Sequence, residues 1–143
     1  MISGRCRIRI RYAETDAMSV AHHSRHLTWF EVGRQELMRA AGLSYAQLQE
    51  EGVALPVIGL EVRYLAPGRF DDLVEIETRM RQSHGTRLVF EYRLTRVGDG
   101  IVLATGSSEH AAVDRAFRPI RLPPHLLALV GTRRAFSWPE APC

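Results

Sequence analysis

The sequence predicts an α+β fold in which a five-stranded antiparallel sheet covers one long helix, and three observations support this. An alternating strand near the N-terminus is followed by the only long segment with helical spacing of apolar residues. Four extended segments come next, with no second long helix between them. Turn residues separate these segments, which favours antiparallel neighbours. With 143 residues, 45% of them hydrophobic, the chain has the size of a single domain, residues 1–143.

The first strand is predicted over residues 5–12, where two residue types alternate without interruption. Arginines at positions 5, 7, 9 and 11 form one face, and the opposite face carries Cys6, Ile8, Ile10 and Tyr12. Such alternation is typical of a half-buried strand.

Two helices are predicted after the loop that follows this strand. The long one has about four turns, begins near Leu27 and ends at Gly42, which suits the residue after a helix C-terminus. Ser44 and Gln47 have the spacing of a capping box, so a two-turn helix ending at Gly52 follows.

The remaining strands are predicted as consecutive antiparallel neighbours, a four-stranded meander over residues 54–66, 73–83, 86–97 and 101–113. The tail from Pro119 predicts one or two helical turns before a proline-rich end that frays. The domain core therefore covers about residues 5–120, and residues 121–143 form a C-terminal tail.

Composition excludes several classes of protein. All 19 basic residues are arginines against 16 acidic residues, a net charge of +3 that is too small for a polybasic nucleic-acid or membrane tail. This small excess of positive charge would suit binding of an anionic small molecule. The use of arginine alone, without lysine, would also follow from a GC-rich coding sequence. Cys6 and Cys143 form no metal or redox motif, and no apolar leader or membrane span is present. We therefore expect a cytoplasmic protein with reduced thiols.

The loop of residues 12–26 holds three of the six histidines and one aspartate. The spacing of His22, His23 and His26 matches no zinc motif, so we expect neither a metal nor a cofactor. The chemistry that fits is acyl transfer to water, with Asp16 as the carboxylate and amides at the helix N-terminus facing the developing negative charge. An Asp16 that only caps a turn remains the alternative.

The same loop carries a family resemblance. Tyr12-x-x-Thr-Asp16-Ala-Met-x-Val20-x-x-His23, then Leu27-x-Trp-Phe-Glu31 and Arg34, resembles the signature of the 4-hydroxybenzoyl-CoA thioesterase-like family of hotdog-fold acyl-CoA thioesterases. The closest pattern is the branch associated with bacterial Tol-Pal envelope genes. Segments 64–72 and 85–90 also resemble the family, and the likeness covers about residues 5–120.

This resemblance implies a hotdog fold, in which the sheet wraps the helix, and an enzyme that hydrolyses an acyl-CoA to a free acid and coenzyme A. It makes Asp16 the catalytic base or nucleophile and Tyr12 a supporting hydroxyl. It places His23 beside the thioester, with the His23 N–H polarising the carbonyl group. Coenzyme A is then part of the substrate rather than a cofactor.

Four positions depart from the family pattern: Ser19 replaces glycine, His22 an aromatic residue, Arg25 asparagine or serine, and His26 tyrosine. The resemblance places these positions at the acyl end of the site, so we expect Ser19, His22 and His26 to contact substrate. If the backbone needs a positive φ at position 19, serine would change the loop.

The phosphates of coenzyme A need cationic contacts, and the chain has no glycine-rich phosphate loop. Four arginines near turns or chain ends are candidates, although each also fits a solvated surface charge: Arg69, Arg87, Arg118 and Arg121.

Two other functions compete with hydrolysis. A hotdog dehydratase would act on hydroxyacyl thioesters, but it pairs its histidine and carboxylate in a different order. A non-enzymatic module would bind an acyl thioester, or bind nucleic acid along the arginine row of the first strand, yet that row lacks interleaved aromatic residues. Because an open sheet edge is normally covered, we also expect a homodimer or homotetramer.

Overall fold

The computed structural model describes residues 1–131 and 134–137. Its strands are β1 (Ile2–Arg9), β2 (Val57–Tyr64), β3 (Leu73–His84), β4 (Arg87–Arg96), β5 (Val102–Ala111) and β6 (Arg134–Ser137). Its helices are α1 (Arg25–Ala40), α2 (Tyr45–Glu50) and α3 (Pro124–Val130), and a short 3₁₀ turn covers Tyr12–Glu14. The predicted order of strand, long helix, short helix and four strands is therefore confirmed.

The strands form one sheet in the order β2-β5-β4-β3-β1-β6. The five predicted strands pair antiparallel, as expected, and β6 adds a sixth that runs parallel to β1. Pairing with β3 and β6 extends β1 back to Ile2, three residues before the predicted start. The tail thus continues the sheet at 134–137, while the proline-rich end with Cys143, predicted to fray, lies outside the described residues.

The predicted four-stranded meander is wrong for β2, which lies beside β5 and not beside β3. Residues 65–72 cross the end of the sheet instead of forming a tight turn. The N–H groups of Leu65 and Ala66 donate to the Leu103 carbonyl of β5, and Arg96 of β4 donates to the Pro67 carbonyl. Eight extended residues reach about 26 Å, whereas three strand spacings need only about 14 Å, so a short connection does not require adjacent strands.

The helix α1 packs into the curve of this sheet and forms the centre of the core. Phe30 and Leu37 on α1 are at most 1% exposed, and the Phe30 ring stacks on Tyr92 of β4 with 4.3 Å between ring centroids. Helix and sheet approach closely at two glycines. A Cβ at Gly33 would lie 2.7 Å from Ile76 Cγ2, and one at Gly106 would lie 2.7 Å from Phe30 Cζ. The position of α1 over the sheet is therefore tightly constrained.

The ends of the helices follow the predicted signals. Gly42 has φ +85° just beyond α1, and the Ser44 hydroxyl accepts the Gln47 N–H while the Gln47 side chain accepts the Ser44 N–H. The predicted extension of β1 to Tyr12 is wrong. Glu14 accepts the Arg11 N–H and turns the chain into the 3₁₀ turn, which leaves Tyr12 77% exposed instead of on the apolar face.

Candidate active site

The loop between β1 and α1 is closed by main-chain hydrogen bonds. The Asp16 N–H donates to the Val20 carbonyl at 2.9 Å, and the His22 N–H donates to the Glu14 carbonyl at 2.8 Å. The Ala21 N–H donates to the Gly68 carbonyl at 2.7 Å, which ties the loop to the crossing segment 65–72. These bonds fix Asp16 at the base of a compact loop.

Ser19 adopts the left-handed backbone conformation that the family pattern assigns to glycine. Its φ is +61°, and its N–H donates to the Asp16 carbonyl at 2.9 Å. A residue with a Cβ is disfavoured in this region. Serine therefore occupies the positive φ that the sequence analysis considered for this position.

The Asp16 carboxylate is half-buried and held by its own loop. Oδ1 accepts the Met18 N–H at 2.8 Å, whereas Oδ2 accepts no hydrogen bond from any residue that the structure describes. One oxygen therefore orients the carboxylate, and the other is available to a water molecule or a substrate.

The N-terminus of α1 presents backbone donors near this carboxylate. The His22 carbonyl accepts the Arg25 N–H at 2.9 Å and so points along the helix. Because a trans peptide directs its C=O and N–H in opposite directions, the His23 N–H points away from the helix body. No acceptor in the described part of the chain binds this N–H, which leaves it free for a ligand oxygen.

Asp16 and the α1 N-terminus meet at one cavity of about 350 Å³. Its polar wall is formed by four side chains, and its apolar wall by the loop and the crossing segment: Asp16, His23, His26 and Tyr64, with Met18, Val20, Ala21, Leu65, Ala66, Pro67 and Gly68. The structure thus brings together three of the predicted site residues, Asp16, His23 and His26.

Other predicted residues lie around this cavity rather than in its wall. The Tyr12 ring contacts Phe70 edge-on. The His22 ring packs on His23 with 4.1 Å between centroids, and its Nδ1 lies 2.8 Å from the Ser24 hydroxyl. Ser24 begins α1 without a side-chain capping bond.

The four candidate arginines are all exposed. Arg69 directly follows the cavity residue Gly68. Arg87 pairs with Glu109 at 3.1 Å, and Arg118 lies 3.8 Å from Asp114. Arg121 also lies away from the cavity wall, so Arg69 is the candidate nearest the site along the chain.

His26 is the most enclosed residue of the cavity wall, with 3% of its surface exposed. Its ring lies between Trp29 and Tyr64, at centroid distances of 4.9 and 4.8 Å. Nδ1 is fully enclosed and has no hydrogen-bond partner. Burial lowers the pKa of His26, while the nearby carbonyls of His23 and His22 act in the opposite direction without reaching hydrogen-bond geometry.

Sequence reasoning missed two residues that organise this site. The Tyr64 hydroxyl donates to the His23 carbonyl at 2.6 Å, across 41 positions of the chain. Glu14, 4% exposed, accepts the Trp29 indole N–H at 2.9 Å and thereby joins the loop to α1. Glu14 could have been considered from the sequence because it is a carboxylate only two residues before Asp16. No local sequence pattern reveals the contact of Tyr64 with His23.

Three further observations bear on the competing interpretations. Within residues 1–131 and 134–137, no group of three or more His, Cys, Asp or Glu residues is placed to hold a metal ion. In the same part of the chain, no helix has the length and apolarity needed to cross a membrane. The arginine row of β1 is paired with carboxylates of β3 and of the crossing segment, since Arg5, Arg7 and Arg9 lie within 4.0 Å of Glu77, Glu75 and Asp71.

A sheet that wraps one long helix, with a cavity at the N-terminus of that helix, defines a hotdog-fold protein. The chain belongs to the thioesterase-like superfamily, which it matches over residues 10–130. The family predicted from the loop motif is therefore confirmed, while the Tol-Pal branch stays a prediction.

Individual relatives agree with this assignment. The chain is 33% identical to the putative acyl-CoA thioesterase YneP of Bacillus subtilis over 116 residues, which cover 80% of this chain and 83% of the relative. It is 32% identical to the acyl-CoA thioesterase YbgC of Haemophilus influenzae over 125 residues, or 85% and 89% of the two chains. The crystal structure of a DHNA-CoA thioesterase from Staphylococcus aureus superposes with a TM-score of 0.80 at 35% identity, covering 85% of this chain and 82% of that one.

Proposed function

We propose that the protein is an acyl-CoA thioesterase that hydrolyses an acyl-CoA to a free acid and coenzyme A. The observation that carries this proposal is the meeting of Asp16 and the α1 N-terminus at one cavity. Relatives named acyl-CoA thioesterases, such as YneP and YbgC, support the same reaction.

Asp16 supplies the carboxylate for the reaction. Its Oδ1 is occupied by the Met18 N–H, so Oδ2 is the oxygen that removes a proton from water or attacks the thioester carbon. In either route, water adds its hydroxyl to the acyl carbon, the C–S bond breaks, and the thiolate of coenzyme A takes up the proton.

The α1 N-terminus stabilises the carbonyl oxygen as it gains negative charge. The His23 N–H is the donor, and the positive end of the helix dipole acts in the same direction. Tyr64 keeps this region in place through its bond to the His23 carbonyl. The His23 ring orients the thioester or water.

Neither a metal nor a further cofactor takes part in this mechanism. We expect full activity in EDTA, and a loss of rate that zinc restores would contradict this. Arg69, which follows Gly68 in the cavity wall, is the arginine best placed for the phosphates of coenzyme A.

The proposal includes a homodimer that pairs through β2. Val57, Ile58 and Leu60 on this strand are 47 to 50% exposed, and beyond β5 the described residues offer it no second neighbour. Exposed apolar edge strands are normally covered. Sedimentation should show an assembly that Leu60→Lys weakens, and an active monomer of 16.2 kDa would contradict it.

Asp16→Asn tests the catalytic assignment because it keeps the side-chain shape but removes charge and basicity. We expect kcat to fall roughly 10²–10⁴-fold if Asp16 is a base, with little change in substrate affinity. His23→Ala should cause a smaller loss because the backbone N–H remains, and Tyr12→Phe a smaller one still.

Asp114→Asn is the matched control. Asp114 Oδ1 accepts the Ala116 and Arg118 N–H groups in a loop away from the cavity, much as Asp16 accepts the Met18 N–H. Release of free thiol from acyl-CoA should be unchanged in this variant. Near-parental hydrolysis by folded Asp16→Asn, or an enoyl thioester as the product, would overturn the proposal.

A further inference from the structure

An arginine outside the cavity holds the segment that forms part of the cavity wall. Arg96 is the last residue of β4, and it pairs with Val74 of β3, a core residue that is 0% exposed. Paired residues on neighbouring strands point to the same side of a sheet, so Arg96 lies on the side that faces α1. Its side chain is only 20% exposed. A cation at such a position needs polar partners close by.

The guanidinium group of Arg96 finds these partners in two neighbouring chain segments. Nη1 donates to the Pro67 carbonyl at 3.0 Å and to Asp72 Oδ2 at 3.3 Å. Nε lies 3.1 and 3.0 Å from the two carboxylate oxygens of Asp99. A planar group with five N–H donors makes such a bridge possible. Arg96 therefore joins β4 and the turn before β5 to the crossing segment 65–72.

The crossing segment is bound in turn to the loop that carries Asp16. The Ala21 N–H donates to the Gly68 carbonyl at 2.7 Å. The Asp16 N–H donates to the Val20 carbonyl at 2.9 Å. The Val20 carbonyl and the Ala21 N–H are opposite ends of one planar peptide unit. A displacement of Gly68 is thus passed on to Asp16 by a single rigid group.

Two hydrogen bonds hold the middle of the crossing segment in place. In the part of the chain that the structure describes, the main-chain groups of residues 67–68 bind only Arg96 and the Ala21 N–H. The first bond connects them to the sheet, and the second connects them to the Asp16 loop. Without Arg96, the segment would be bound at its two ends, by β5 and by Ile10, and by the loop that it has to position.

The crossing segment also adjoins the other half of the proposed site. Tyr64, the residue directly before the segment, donates to the His23 carbonyl at 2.6 Å. The segment is therefore tied to the Asp16 loop at its centre and to the carbonyl-binding residue His23 at its start. Its position relative to the sheet sets the distance between the Asp16 carboxylate and the His23 N–H.

We infer that Arg96 is a positioning residue for the proposed hydrolysis, which fixes the crossing segment and, through it, the Asp16 carboxylate. This inference rests on the proposed function. Arg96 does not line the cavity, so it acts through the segment rather than on the substrate. A misplacement of about 1 Å at a reacting group can cost roughly 100-fold in rate. Loss of Arg96 should therefore lower kcat more than it raises KM, because a misplaced Asp16 still permits substrate binding.

Arg96→Gln tests the inference by removing the guanidinium group. We expect kcat for thiol release from an acyl-CoA to fall about 10- to 100-fold, with KM changed by less than about threefold. Arg96→Lys keeps the charge, but an ammonium group cannot bridge Pro67 and Asp99 as the planar fork does, so most of the loss should remain. Arg81→Gln is the matched control and should keep the parental kcat. Arg81 binds Glu91 at 3.0 Å and contacts neither the crossing segment nor the cavity.

A double substitution separates positioning from a general loss of stability. If Arg96 acts through Asp16, adding Arg96→Gln to Asp16→Asn should lower the remaining kcat by less than about threefold. A change that only weakens the fold would lower kcat by the same factor in both backgrounds. Equal factors, full recovery of kcat in Arg96→Lys, or a parental kcat in Arg96→Gln would each overturn the inference.

Amide hydrogen exchange gives a reading that does not depend on hydrolysis. In Arg96→Gln, the Ala21 N–H should exchange about tenfold faster, because the Gly68 carbonyl that binds it is held less firmly. The Ala116 N–H, which Asp114 binds in a loop away from the cavity, should keep its rate. Equal acceleration at both amides, or none at Ala21, contradicts the inference.

The two proposals fail in different ways. If no acyl-CoA releases thiol in the parent protein, the proposed function is wrong. The exchange comparison between Ala21 and Ala116 then still decides whether Arg96 holds the Asp16 loop in place.

Discussion

Two buried histidines, His26 on α1 and His110 on β5, differ in one respect. His26 and His110 are 3% and 1% exposed, and burial lowers the pKa of both. His110 uses both ring nitrogens: Nδ1 lies 2.9 Å from the Leu55 carbonyl and Nε2 lies 2.8 Å from the Ser108 hydroxyl. In His26, which lies in the cavity wall, the enclosed Nδ1 has no such partner. Burial alone thus does not distinguish the two histidines, whereas hydrogen-bond pairing does.

The pairing at His110 also determines which group donates and which accepts in each neighbouring hydrogen bond. A carbonyl can only accept, so His110 donates from Nδ1 to Leu55 and its Nε2 accepts the Ser108 hydroxyl proton. Ser108 in turn accepts the Tyr92 hydroxyl proton at 2.6 Å, and Tyr92 accepts from Arg34 at 3.4 Å. This buried chain joins α1, β4 and β5 to the segment before β2, which makes it a structural device.

The largest expected effect on stability comes from breaking this chain of buried hydrogen bonds. His110→Leu has a similar volume but leaves the Ser108 hydroxyl proton and the Leu55 carbonyl buried without their partner. We expect a loss of about 2–5 kcal/mol in the free energy of unfolding, measured by denaturant titration. Adding Ser108→Ala should not recover this loss, because the buried Tyr92 hydroxyl then loses its acceptor. An unchanged midpoint in His110→Leu would remove the contrast with His26.

A fall in pH should also lower the free energy of unfolding, through the same histidine. Burial lowers the pKa of His110 from 6.5 to about 4, so between these values the unfolded chain binds a proton that the folded chain does not. The stabilisation is complete above pH 6.5 and is lost as the pH falls towards 4, by roughly 3 kcal/mol in total. Urea titrations at pH 7 and pH 4.5 should show this fall, and His110→Leu should show a smaller one.

His26→Phe should change the free energy of unfolding in the opposite direction from His110→Leu. It removes a buried nitrogen, Nδ1, that has no hydrogen-bond partner, so the free energy of unfolding of the unliganded protein should stay equal or rise by about 1 kcal/mol. Thermal unfolding without substrate measures this change. A marked loss of stability would show that His26, like His110, is a structural residue.

The smallest effect is expected at Ser19, on the loop that carries Asp16. Ser19→Gly relieves the positive φ of +61° but gives the unfolded chain more freedom, so we expect a net gain of about 0.5 kcal/mol. Ala17→Gly, at an exposed position in the same loop, is a control that should bring no such gain. A loss of stability in Ser19→Gly would mean that serine is well accommodated at this φ.

Local patterns predicted most of the fold and part of the site. The signals that end α1 near Gly42 and begin α2 at Ser44 depend only on neighbouring residues, so the sequence predicted both. A signature within one loop likewise pointed to Asp16 and His23. The place of β2 beside β5 was not predictable in this way, because the length of segment 65–72 fits both a turn and a crossing. Tyr64 was missed for a related reason, since its bond to His23 exists only after that crossing has formed.

The close approach at Gly33 and Gly106 has a consequence for directed evolution of this scaffold. A methyl group at either position would act as a wedge between α1 and the sheet and would shift the helix end that carries His23 and His26. Such a variant would be recovered in a screen as a loss of turnover, although the change lies in the core about two helical turns from the cavity. Libraries aimed at substrate range should therefore hold these two glycines constant and vary the apolar wall, where Met18 and Leu65 are 75% and 60% exposed.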